Sequence, residues 1–77
     1  LTNSKITLNI ALEILNSVST KYLFHVIKKL YESARETEVN WYYENDDESM
    51  LEEGSYLESS FPKSNFKLIG VEDLRKI

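Results

Sequence analysis

The chain has 77 residues, nine basic and thirteen acidic for a net charge of −4, and no cysteine. That length makes one small domain, residues 1–77, of marginal stability, and the missing cysteine excludes a disulfide framework, a zinc knuckle and a thiol nucleophile. Six of the acids fall within residues 44–53, so the nine bases and the seven other acids leave +2 elsewhere; with no basic cluster to neutralise phosphates, nucleic-acid binding is disfavoured.

Residues 5–15 read KITLNIALEIL. Ile6, Leu8, Ile10, Leu12 and Ile14 share one side, and Lys5, Thr7, Asn9, Ala11 and Glu13 the other. That period of two predicts a strand with one buried face. From Ser19 the period lengthens, and Tyr22, Leu23, Val26, Ile27, Leu30 and Ala34 fit an amphipathic helix. Asn16, Ser17 and Ser19 are candidate caps upstream of it, while Lys28, Lys29 and Arg35 lie toward the negative end of its dipole. Residues 37–43 alternate again, with Val39, Trp41 and Tyr43 opposite Glu38, Asn40 and Tyr42.

A second helix is expected to begin near Asp46 or Asp47 and to carry Met50, Leu51 and Leu57. Gly54 inside it costs about 1 kcal/mol relative to alanine. Pro62 falls in a loop, residues 66–69 form a short third strand, and residues 71–77 read as a fraying turn or a disordered tail. The order β-α-β-α-β predicts an α/β fold of two layers. Its parallel strands would be joined by right-handed crossovers in the order 1-2-3, with both helices on one face and two unpaired edges. No apolar run approaches the roughly 18 residues of a membrane span, and nothing reads as a signal peptide, so a cytoplasmic location is expected.

The densest feature is WYYENDDESMLEEG at residues 41–54. Asp46, Asp47 and Glu48 stand where a strand hands over to a helix, and acids in a first helical turn are stabilised by about 0.3–1 kcal/mol each. Capping therefore accounts for them. A magnesium or calcium site is the sharper alternative, but the calcium-loop spacing and any glycine-rich phosphate cradle are missing. A surface facing a partner is the third reading. Acid–base catalysis would need a pocket and a tuned pKa beyond the pairing of two acids. His25 reads as a surface or boundary residue rather than a base for Ser17, and no cofactor is implied.

The other strand-to-helix junction is LNSVSTKYL, which sets Ser17, Ser19 and Thr20 at or just before a helix start. Capping explains the hydroxyls. A phosphorylation switch is the functional alternative, because unpaired N–H groups there tolerate an anion of about −1.5 to −2 charges.

VNWYYENDDESMLEEG at residues 39–54 resembles the signature of the SiaC family of bacterial regulatory phosphoproteins, WYYE-x-DDE-x-MLE-x-G after a strand. LNSVSTKYLFHVIKKL upstream resembles that family's Asn-Thr-Ser-Ser junction and amphipathic helix, and FPKSNFKLI its closing proline-phenylalanine strand. The likeness spans about residues 8–70. It implies a fold similar to anti-sigma-factor antagonist (STAS-like) domains and a non-enzymatic role. A Ser/Thr protein kinase and a metal-dependent protein phosphatase would set the phosphorylation state, and the unphosphorylated form would activate a diguanylate cyclase, raising cyclic di-GMP and favouring biofilm. A homodimer is compatible with this.

The resemblance places the phosphoacceptor directly after the junction asparagine, at Ser17 after Asn16, with Ser19 and Thr20 as alternates. Serine stands there in place of the usual threonine, and Val18 in place of a serine. The family's N-terminal strands and helix are absent, so the sequence reads as N-terminally incomplete. Loops after successive parallel strands emerge at one sheet edge, so residues 16–17 and 44–47 should be neighbours, the acids setting the electrostatics around Ser17. Asn16, Lys21, Glu44, Asp46, Asp47 and Glu48 are accordingly the expected partner-binding residues. The competing reading is an adaptor that binds its partner constitutively, without phosphorylation.

Overall fold

Three strands and two helices alternate along the chain in the computed structural model, which describes residues 5–13, 16–33, 36–62 and 65–76. They are β1 (Lys5–Ala11), α1 (Ser17–Ser33), β2 (Glu36–Glu44), α2 (Glu48–Ser60) and β3 (Asn65–Val71), followed by a 3-10 helix over Leu74–Lys76. The sheet order is β1-β2-β3 and both pairings are parallel. The expected α/β architecture is thus the observed one. Under the general right-handed rule for β-α-β crossovers, two successive crossovers over one face carry the chain steadily across the sheet, as the order β1-β2-β3 has it.

The register explains the core. Leu8, Val39 and Phe66 stand in one row, and Ile10, Trp41 and Leu68 in the next. Alternation points each row to the same face. Ile10, Val39, Trp41 and Phe66 from the sheet form one buried cluster with Ile27 of α1 and with Met50 and Leu57 of α2. One cluster containing residues of both helices means that both cover the same face. On the opposite face Glu38 stands between Lys5 and Lys67, at 3.4 and 3.6 Å, and the Asn40 amide donates to the Asn9 side-chain oxygen at 2.9 Å.

Trp41 ties the layers together. Its ring is fully buried, and its indole N–H donates to the Met50 carbonyl at 3.0 Å, which satisfies the donor inside the core. Gly54 follows one turn later on α2. A Cβ built on it would lie 2.5 Å from Trp41 Cδ1 and 2.9 Å from Leu68 Cδ2. The glycine that weakens the helix on propensity grounds therefore lets the helix backbone approach the indole. Trp41, Met50 and Gly54 of the 41–54 motif form one packing unit.

Several boundaries differ from the sequence expectation. β1 ends at Ala11, where its pairing with Tyr42 ends, although Leu12 still packs on the core; Ile14 and Leu15 lie outside the described residues. α1 begins at Ser17, two residues early. Its inner face is Leu23, Phe24, Ile27 and Tyr31, whereas Tyr22 and Val26 are exposed. Two apolar stripes overlap on this helix, and the one with Phe24 and Tyr31 faces the sheet, where both rings stack on Phe61. Ala34 and Arg35 lie outside the described residues.

Residues 72–76, after β3, are held in place, and Ile77 lies outside the described residues. Leu74 is buried, its N–H donates to a Glu44 carboxylate oxygen at 3.2 Å, and Asn45 N–H donates to the Val71 carbonyl at 2.8 Å. No helix among the described residues is long and apolar enough to cross a membrane.

Candidate functional site

The first turn of α1 is built around Asn16. Its side-chain oxygen accepts from Ser19 N–H at 2.9 Å, and its carbonyl accepts from Thr20 N–H at 2.9 Å. Asn16 is thereby the N-cap, and Ser17 becomes the first residue of the helix rather than a capping side chain. With the capping role filled by its neighbour, the Ser17 hydroxyl is exposed, and no hydrogen bond to it is found among the described residues.

Thr20 is differently placed. Its hydroxyl lies 3.1 Å from the Asn16 carbonyl and 3.1 Å from Glu53 Oε2, on α2. A hydroxyl has one proton, and a carboxylate is the stronger acceptor, so this proton serves Glu53. Ser19 and Thr20 are half-buried. Of the three candidate acceptors, Ser17 is the one whose oxygen is both open to solvent and uncommitted.

A hollow of about 350 Å³ opens between the two helices beside this turn, lined by Ser17, Thr20, Lys21, Phe24, His25 and Tyr56. Ser17, Lys21 and His25 recur every four residues and so lie above one another on the helix surface. Lys21 puts a cation one turn from the Ser17 oxygen. His25 is exposed, with its ring edge-on to Phe24 at a centroid distance of 5.8 Å.

The acids at the end of β2 are engaged mainly in structure. Asp47 is the N-cap of α2: its carboxylate accepts from Met50 N–H at 3.1 Å and its carbonyl from Leu51 N–H at 3.2 Å. Glu48 sits in the first turn, Asp46 is exposed, and Glu44 receives the N–H of Leu74. Among the described residues no three acidic or imidazole groups converge as they would around a metal ion. Among the described residues, the acid hydrogen-bonded to the Ser17 turn is Glu53, through Thr20.

Glu53 and Tyr56 are the residues that sequence reasoning missed. Both belong to α2: Tyr56 lines the hollow, and Glu53 lines a second one that shares Ser17, Thr20 and Tyr56 with it. The sequence carries the acid in its MLEEG run but no signal for which face of α2 meets α1.

The family model of the SiaC family regulatory phosphoprotein matches residues 1–71 of the chain. No curated protein and no solved structure is significantly similar to it.

Proposed function

This chain belongs to the SiaC family of regulatory phosphoproteins, and from that premise we propose that phosphorylation of Ser17 controls the docking of a protein partner at the start of α1. The observation that carries this reading is the exposed, uncommitted Ser17 hydroxyl at the first position of a helix, with Lys21 one turn away. A phosphoryl group there adds about −1.5 to −2 charges. The unpaired N–H groups of the first turn and the Lys21 ammonium favour it; the Glu53 carboxylate opposes it. A phosphoryl group thus changes the sign of the charge at the head of α1.

In this reading the protein performs no catalysis. A Ser/Thr kinase adds the phosphate and a metal-dependent phosphatase removes it, in the cytoplasm. The unphosphorylated form binds and activates a diguanylate cyclase, so cyclic di-GMP rises and biofilm is favoured. The likeness to the SiaC family supports these roles, together with a STAS-like relationship of the fold. Asn16 and Lys21 form the partner surface beside Ser17, with Glu44, Asp46, Asp47 and Glu48 at the neighbouring sheet edge.

The test is to incubate the protein with the cognate kinase and map the phosphate by mass spectrometry. Modification at Ser17, with loss of cyclase activation that Ser17→Ala prevents, is the expected result. Phosphate confined to Ser19 or Thr20 refutes the acceptor. No phosphate at all, with cyclase binding retained, favours a constitutive adaptor.

A further inference from the structure

The helix that begins at Ser17 has a second apolar stripe, on the side away from the sheet. Val18 is 75% exposed, Tyr22 71%, and Val26 36%. Spaced by four, they form a continuous ridge about 12 Å long on the helix surface. A shallow groove beside it is lined by Val18, Lys21, Tyr22 and His25. The inner face of the same helix is occupied by the core, and the outer stripe takes no part in that core among the described residues. Exposed apolar side chains gathered on one face, rather than scattered, mark an interaction site.

Charge says what kind of partner fits. Lys21, Lys28 and Lys29 are exposed on α1 against a single acid, Glu32, so this helix carries +2 while the rest of the chain carries −6 of the total −4. Lys29 projects within the stripe, and Lys21 and Lys28 line one flank of it. An acidic partner is repelled by most of the molecule and steered to this face.

A second copy fits poorly. Two α1 helices packed together would oppose their lysines. The exposed side of α2 offers Glu48, Glu52 and Tyr56, too few apolar groups to fill the stripe.

We propose that the outer face of α1, Val18–Tyr22–Val26 with Lys21, Lys28 and Lys29, docks an amphipathic helix of a partner protein whose apolar ridge is flanked by acidic residues. This deepens the phospho-switch reading by naming the partner's chemistry, and it rests on that reading only for its regulation. Ser17 lies on the lysine flank, four residues before Lys21. A phosphoryl group there draws Lys21 into an i,i+4 ion pair and sets a dianion at the head of the stripe, so an acidic helix is turned away.

The test replaces Tyr22 by the photo-crosslinker p-benzoylphenylalanine in the full chain, in the host cell, with Tyr42 on the opposite sheet face as control. The expected adduct at position 22 is a segment of another protein with apolar residues at helical spacing and a net negative charge. That segment, synthesised as a labelled peptide, should bind the wild-type chain in fluorescence anisotropy and weaken as salt rises. Val18→Asp and the double variant Lys28→Glu, Lys29→Glu should each weaken it about tenfold or more.

An adduct to a second copy, to lipid, or to a segment lacking that pattern overturns the proposal, as does an equal yield from position 42 or no adduct at all. The two readings fail separately. If the peptide binds at the stripe but ignores phosphate on Ser17, the switch falls and the docking surface stands. If phosphate controls cyclase activation while Val18→Asp and Tyr22→Glu do not alter it, the reverse holds.

Discussion

Thr20 and Glu53 join the two helices: the threonine hydroxyl on α1 donates to the glutamate carboxylate on α2 at 3.1 Å, three residues beyond Ser17. The bond makes Glu53 the acid through which α2 faces the candidate phosphoacceptor. It also explains why Thr20, rich as it is in hydrogen bonds, is a poor acceptor of phosphate.

Removing the two ends of this bond should have different consequences. Thr20→Val leaves Glu53 without its donor and should cost about 1 kcal/mol in urea denaturation. Glu53→Gln keeps an acceptor oxygen and should cost less. It also removes the charge that opposes a phosphoryl group, so the initial rate of Ser17 phosphorylation should rise. A slower rate in Glu53→Gln would mean that this carboxylate does not repel the incoming group.

Gly54→Ala should reverse the ordinary rule for helices. Propensity alone predicts a gain of about 1 kcal/mol. The added methyl meets the fully buried Trp41 ring, and overpacking of this kind costs about 1–3 kcal/mol. Trp41 is the sole tryptophan, so its fluorescence reports the same site during unfolding. A more stable Gly54→Ala protein with unchanged emission contradicts the packing of α2 on the indole.

The two adjacent aspartates should separate cleanly. Asp47→Ala removes the α2 cap and should lower stability by about 1 kcal/mol. Asp46→Ala, on an exposed turn, should fall within about 0.5 kcal/mol of wild type. Thermal melts of the pair decide the matter, and equal losses would disprove the assignment of the cap.

Glu38 gives the fold an acid limit. Partial burial by itself raises its carboxyl, but Lys67 and Lys5 outweigh that and hold it below the ordinary value of 4.5. The folded state therefore binds this proton less tightly than the unfolded chain. Its contribution is fully present above pH 4.5 and disappears as pH falls through the lower, folded value. Replacing both lysines by methionine should flatten the acid limb of a stability–pH curve, and an unchanged limb would show that the pairing has no such effect.

Where residues state a period or a cap, the sequence determined the outcome by itself. The alternation of residues 5–15 and 37–43 set two half-buried strands, the first of which ends at Ala11 in the structure, and the chirality rule for crossovers turned the element order into a parallel sheet of order 1-2-3. A helix start was legible at Asp46 or Asp47, and the structure gives the cap to Asp47, whose oxygen meets an orphan N–H within its own turn. Such signals are local: the partner is three or four residues away, and geometry leaves little choice.

What joins distant segments was decided only by the tertiary structure. Tyr22 and Val26 fit a helical stripe as well as Phe24 and Tyr31 do, and only the shape of the sheet and Phe61 turned the aromatic stripe inward. Gly54 looked like a weakness until Trp41 was seen against it. Glu53 came to the Ser17 turn, while Glu44 turned to Leu74, because helix rotation and spacing are set by how side chains fill one core. That is a many-body packing problem, and no period along the chain encodes its solution.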